Sequence, residues 1–207
     1  TAYHRWTQGE ERGLYFALPT QLTSNKIHDR ITSFLSNILG ADSTQSLIHG
    51  NAWLGEKKSQ TISPAFKEPN NQPPEHEHND RNEALRWYSS TRKQLLAPFG
   101  TGTIDQALLA VLPARFAALR YFALAGKVVV VDEVHAFDPY MSALIDRLVQ
   151  YLIKAGSTVI ILSATLTAKR RAELVQAAGA SEDCAPEDYP LITKVATDAQ
   201  QATHITV

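Results

Sequence analysis

The sequence has a single cysteine, Cys184, in 207 residues. That excludes an internal disulfide and fits a reducing compartment such as the cytoplasm. No apolar run approaches the ~20 residues that a membrane-spanning helix needs. The first residues, TAYHRWTQGEERG, lack the apolar core of a secretory leader. They read instead as the tail of a helix, so the sequence is expected to start inside a domain. A net charge of -1 provides no global basic field for nucleic acid, although it leaves a local basic groove open. A phosphate-binding loop of the form GxxxxGK[ST] is also missing, because the only Gly-Lys pair, Gly126-Lys127, is followed by Val128. What is present, 44% apolar and 20% charged residues, is ordinary for a globular protein long enough to form one domain with a sizeable core.

The stretch that organises the chain is KVVVVDEVHAFD, Lys127 to Asp138. Val128 to Val131 show no polar alternation, which reads as a strand covered on both faces, as in a parallel sheet. Asp132 and Glu133 follow where that strand would emerge. Ligands of open α/β sheets bind outside the carboxyl ends of strands. An acidic pair there is well placed to hold a magnesium ion and orient a water. Helix capping is the alternative, and it accounts for Asp138, which precedes Pro139 at the start of the next apolar-periodic segment.

Leu14 to Leu18 is a buried-strand candidate closed by Pro19. Thr23 or Ser24 is positioned to cap a helix with Ile27, Ile31, Phe34, Leu35 and Ile38 on one face, stopped at Gly40. Ser46 to His49 is a short strand candidate. Residues 55–82 are polar and proline-rich and read as an irregular excursion. Its His76-Glu77-His78 is read as a solvated loop, since no rigid frame or cysteine supports a zinc site. Gln94 to Phe99 is a further short strand, followed by a Thr101-Gly102-Thr103 turn. Thr103 is a candidate cap for a helix Ile104–Leu112, and a second helix runs Arg115–Leu124. Pro139 opens a helix to about Lys154, and STVIIL, Ser157 to Leu162, is the next buried strand. Ser163-Ala164-Thr165 follows it, either as a site element or as the cap of the helix Ala168–Ala178. The remainder reads as a looser domain edge and linker. Alternating strands and helices give an α/β fold with a mainly parallel sheet of about five strands. Its polar strand ends, Pro19-Thr20-Gln21, Asp132 to His135 and Ser163 to Thr165, would converge on one crevice.

DEVH after four valines, SAT after STVIIL, and ALPTQ after a short strand resemble motifs II, III and Ia of superfamily 2 helicases. The longer blocks YFALPTQLTSN, LLAPFGTGTIDQALLA, KVVVVDEVHAFDPYM and VIILSATLT resemble the helicase of the type I CRISPR interference nuclease-helicases, DExH proteins that join an HD nuclease domain to two RecA-like lobes. The resemblance covers nearly all of the chain except residues 55–82. It implies a RecA-like parallel sheet sandwiched by helices, with residues 1–195 forming most of lobe one and 196–207 starting the linker to lobe two. It implies an ATP-dependent 3′ to 5′ translocase on single-stranded DNA that follows an RNA-guided surveillance complex, with ATP and magnesium as its cofactors. Asp132 would hold the magnesium, largely through water, Glu133 would polarise the attacking water, and His135 would couple the nucleotide to Ser163 and Thr165. Thr20, Gln21, His49, Gly50, Gly102 and Thr103 would lie along the DNA path. The phosphate loop would precede Thr1, the second lobe would follow Val207, and the nuclease would lie upstream. The isolated fragment is therefore expected to be inactive.

Two other functions are compatible with parts of this pattern. A non-catalytic nucleic-acid or partner-binding module would keep the fold without needing the acid pair. Another DExH helicase acting on RNA would share DExH and SAT but not the longer blocks.

Overall fold

The computed structural model describes residues 2–39, 94–134, 138–181, 190–196 and 200–206. A short helix α1 (Ala2–Thr7) leads into strand β1 (Leu14–Leu18) and the long helix α2 (Gln21–Leu39). A 3-10 turn (Gln94–Leu96), strand β2 (Phe99–Thr103), and helices α3 (Ile104–Leu108) and α4 (Ala117–Leu124) precede β3 (Val128–Val131). Helix α5 (Pro139–Lys154), β4 (Thr158–Ile161), α6 (Ala168–Ala177), β5 (Leu191–Lys194) and β6 (Thr203–Thr206) complete the order.

The four valines of β3 lie inside a parallel sheet ordered β2-β1-β3-β4, and all four are buried. β1 pairs Leu14 with Val128 and Ala17 with Val131, and β4 pairs Thr158 with Val128 and Ile161 with Val131. Residues alternate between faces, so Tyr15, Ala17, Val129 and Val131 meet Ile145, Leu148, Val149 and Leu152 of α5. Leu14 and Phe99 meet Leu35 and Ile31 of α2 and Tyr3 and Trp6 of α1. Covering a strand on both faces is what removes its polar alternation. At the amino-terminal edge of the sheet the buried Glu11 accepts a 2.6 Å hydrogen bond from the Thr158 hydroxyl and pairs with Arg5 at 3.2 Å.

Several sequence expectations change in detail. The strand expected at Gln94 to Phe99 is a 3-10 turn, and the expected Thr101-Gly102-Thr103 turn is the body of β2. The glycines there are not turn residues. β2 runs against β1 residue for residue, from Leu14–Phe99 to Leu18–Thr103, and the Tyr15 ring fills the space over Gly100 and Gly102. The helix expected over Ile104–Leu112 is only α3 (Ile104–Leu108). Helix α2 starts earlier than expected, at Gln21, and its cap is Thr20: the Thr20 Oγ1 accepts the Thr23 amide at 3.3 Å. Its apolar stripe is narrower as well, since Leu35 is buried while Phe34 and Ile38 are exposed. The tail is not loose throughout, because β5 and β6 pair antiparallel, Leu191 with Thr206 through Lys194 with Thr203. Three of the five expected strands, at Leu14–Leu18, Val128–Val131 and Thr158–Ile161, form the main sheet together with β2, whose Thr101 to Thr103 read as a turn in the sequence, and Ser46 to His49 lies outside the described residues, as does Gly40. Among the described residues no helix is long and apolar enough to cross a membrane.

Candidate functional site

The carboxyl ends of β1, β3 and β4 are laced together just where the side chains turn polar. The Asp132 amide donates to the Ala17 carbonyl at 3.1 Å, and the Leu162 amide donates to the Val131 carbonyl at 2.8 Å. The adjacency of β3 and β4 places Asp132 and Glu133 beside the loop that bears Ser163 and Thr165. The other flank of β3 carries Pro19 and Thr20. The convergence expected from strand order is present in the fold.

The local chain path explains how two acids stay at the surface beside a buried strand. Val134 is buried in the core shared by α5 and the sheet. Its amide points at the Leu162 carbonyl, 3.5 Å away. Anchoring Val134 immediately after Glu133 forces the chain to reverse, and Glu133 takes a left-handed φ of 58°. That conformation costs a residue with a Cβ on the order of 1 kcal/mol. Asp132 is half-buried and Glu133 exposed. One oxygen of Asp132 accepts the Glu133 amide at 3.0 Å. Among the described residues neither carboxylate is paired with a cation.

An acidic pair of this kind, accessible and without a protein counter-charge among the described residues, suits a hydrated divalent ion. The Ser163 hydroxyl donates to the Thr165 carbonyl at 2.9 Å, which folds the 163–165 segment on itself, and Thr165 is exposed. Capping of α6 falls to Thr167, whose hydroxyl accepts the Arg170 amide at 3.2 Å. Ser163-Ala164-Thr165 therefore does not serve as that cap. Asp138 does cap α5, taking the Met141 amide at 2.8 Å, with Pro139 in the first turn.

Thr20 sits exposed at the start of α2, and Gln21 opens that helix. Gly102 and Thr103 are buried in β2, and Thr103 stands at the cap position of α3 without a side-chain cap bond. His49, Gly50 and His135 lie outside the described residues. Gly102 also has a packing reason that sequence alone does not reveal: a Cβ there would run into the Tyr15 hydroxyl and lie 3.2 Å from its Cζ. Burial drives the Tyr15 phenol well above its ordinary pKa, and its oxygen has no partner among the described residues. Gly102→Ala should therefore destabilise the fold by about 2–4 kcal/mol, and adding Tyr15→Phe should recover at least half of that loss. Urea midpoints of the two variants check this. A Gly102→Ala protein of normal stability would leave backbone access as the reason for the glycine.

Sequence reasoning missed Lys127, Val134 and the ion pair between Arg170 and Asp146. Lys127 carried a signal, since a lysine directly before four core valines has no solvent to reach. The ion pair joins residues 24 positions apart and leaves no local pattern.

No family model matches the chain. The chain is 38% identical over 188 residues to the Thermus thermophilus CRISPR-associated endonuclease/helicase Cas3, covering 89% of this chain and 20% of that protein. It is 33% identical over 180 residues to the Escherichia coli K12 CRISPR-associated endonuclease/helicase Cas3, covering 86% of this chain and again 20% of the relative. The crystal structure of T. fusca Cas3-ATP matches 98% of this chain with a TM-score of 0.72 at 33% identity, over 23% of its own length. A chain of a CRISPR RNA-guided surveillance complex, pre-nicking, matches 98% with a TM-score of 0.60 at 30% identity. The chain thus spans about a fifth of the length of the curated relatives it matches.

Proposed function

This chain belongs to the Cas3 CRISPR-associated nuclease/helicases, as a segment about a fifth of their length, and we propose that it forms most of the first RecA-like lobe of an ATP-dependent 3′ to 5′ single-stranded DNA translocase. Its part in the whole protein is to turn nucleotide hydrolysis into movement along DNA exposed by an RNA-guided surveillance complex, beside an HD nuclease. The observation that carries this reading is the convergence of the acid pair, the Ser163–Thr165 loop and the Thr20 cap at one sheet edge.

In this reading Asp132 holds the ion, largely through water, and its bond to the Glu133 amide fixes its rotamer. Glu133, exposed and turned by its left-handed backbone, accepts a hydrogen bond from the attacking water and orients it. Bound magnesium supplies charge neutralisation on the phosphate oxygens. His135 senses the nucleotide, and Ser163 and Thr165 exchange hydroxyl partners as it changes, which small donor–acceptor groups do readily. The amino terminus of α2 at Thr20 and Gln21 offers amide groups to DNA phosphates, which carry no base information. His49, Gly50, Gly102 and Thr103 complete the proposed path. The phosphate loop, the second lobe and the nuclease come from the rest of the protein.

The acid pair also favours catalysis over a pure binding module, because a binding surface for polyanions gains nothing from two carboxylates. The test uses the full-length protein. Single-stranded DNA should stimulate ATP hydrolysis, and a 3′-overhang duplex should be unwound in preference to a 5′-overhang duplex. Stimulation by RNA alone would point to an RNA helicase, and DNA binding without hydrolysis would point to the binding module.

A further inference from the structure

Helices α5 and α6 start from the two loops that flank the proposed site. Their packing has an ordinary apolar part, with Leu148, Val149 and Leu152 of α5 and Leu174, Val175 and Ala177 of α6 all buried. It also has a polar part concentrated at the first turns. Arg170 Nη1 donates to Asp146 Oδ2 at 2.9 Å, and Nη2 lies 2.7 Å from Oδ1 in ion-pair contact. Nη2 also donates to the Ser142 carbonyl at 3.1 Å, and Nη1 to Glu173 at 3.0 Å. The Arg170 side chain is 14% exposed, against 27% for Asp146 and 42% for Glu173.

The same residue closes the neighbouring loop, since the Arg170 amide donates to the Thr167 hydroxyl. Each loop is therefore held at both ends. At the strand end, Leu162 is hydrogen-bonded to Val131 and Val134 faces Leu162. At the helix end, the guanidinium bridges the first turn of α6 to the first two turns of α5. A planar guanidinium that donates to a carboxylate from one nitrogen and to a carbonyl from the other fixes direction as well as distance. The exposed contact to Glu173 within α6 adds little.

We infer that Arg170, through its hydrogen-bonded ion pair with Asp146 and its bond to the Ser142 carbonyl, is a positioning residue that holds the Ser163–Thr165 loop in register with the Asp132–Glu133 loop and so sets how efficiently hydrolysis is transmitted. The inference rests on the helicase reading above. Arg170 acts through the loops and touches no reacting atom. Its loss therefore alters the yield of movement per ATP more than the hydrolysis itself.

The experiment compares wild type, Arg170→Lys, Asp146→Asn and Glu173→Gln in the full-length protein on a 3′-overhang DNA duplex. ATP hydrolysis, the KM for ATP, base pairs opened per ATP and the melting temperature are recorded for each. A lysine keeps the charge but cannot span the carboxylate and the carbonyl, and asparagine keeps the volume of Asp146, so the pair covers the case in which one variant folds poorly. In Arg170→Lys and Asp146→Asn, base pairs opened per ATP should fall about 3–30-fold while kcat and KM for ATP stay within about twofold. Glu173→Gln should leave the ratio within about twofold of wild type. A ratio unchanged in both folded variants, or hydrolysis and unwinding falling by one common factor, overturns the inference alone. A wild-type protein without DNA-stimulated hydrolysis overturns the helicase reading and the inference with it.

Discussion

Glu133→Gln in the full-length protein should lower DNA-stimulated ATP hydrolysis by about 10²–10³-fold while nucleotide affinity stays within about threefold. The amide keeps the volume of the carboxylate and the backbone amide that Asp132 accepts, so the ion site is undisturbed. What is lost is the negative charge that orients and polarises water, and unwinding should fall with turnover. A second substitution separates chemistry from architecture. Glu133 is exposed and its φ is 58°, so Glu133→Gly removes the clash of Cβ with the backbone and little packing. It should stabilise the fold by about 1 kcal/mol while abolishing hydrolysis as fully as glutamine does. Nucleotide affinity, turnover and thermal melting of both variants check this. Normal turnover in Glu133→Gln would remove Glu133 from the reaction, and a destabilised Glu133→Gly would mean that the carboxylate supports the fold.

The strain at Glu133 also shows where sequence reading reaches and where it stops. The strand Val128–Val131, the Asp138-Pro139 helix start and the helix to Lys154 are legible because their signals are local: an unbroken β-branched run, a cap residue, and a proline at the first turn. The parallel order that brings Ser163 beside Asp132 follows from short connections between alternating elements. The strand Phe99–Thr103 is illegible by the same local rules. Its glycines signal a turn, and only the ring of Tyr15, contributed by another strand 87 positions from Gly102, explains why side chains are excluded there. The cap of α2 moved to Thr20 because a chain leaving β1 through Pro19 can enter a helix at once. The positive φ of Glu133 depends on Val134 being drawn into the core, a tertiary demand that propensity does not contain. Arg170 and Asp146 look like surface charges in the sequence, and only the crossing of α5 and α6 makes them partners.

Lys127 leads to an expected pH dependence of the same sign as acid denaturation, with stability lost as pH falls, but set in the neutral to alkaline range. It stands at the opposite end of β3 from the acid pair and is only 3% exposed. Its Nζ donates to the carbonyls of Leu95 and Ala97 at 2.8 and 2.6 Å, holding the 3-10 turn and the approach to β2 against β3. Burial is the main cause that brings its pKa down from 10.5 to about 7, and the positive charge of Arg12 acts in the same direction. A neutral amine has two N–H bonds, which match the two carbonyls, so the hydrogen bonding does not require the charge. Below about pH 7 the folded and unfolded chains both carry the proton, and the folded state bears the full cost of a buried ammonium. Between about 7 and 10.5 the unfolded chain binds more protons than the folded one, so stability rises with pH by up to about 1.4 kcal/mol per unit. Lys127→Met removes this titration and leaves both carbonyls unpaired. The stability advantage of wild type over Lys127→Met should therefore grow by about 3 kcal/mol between pH 7 and pH 9.5 and shrink toward pH 6. Urea unfolding of both proteins across that range checks this, because groups common to the two cancel in the difference. A difference independent of pH would mean that the amine stays charged throughout and that the two carbonyls, rather than burial, govern it.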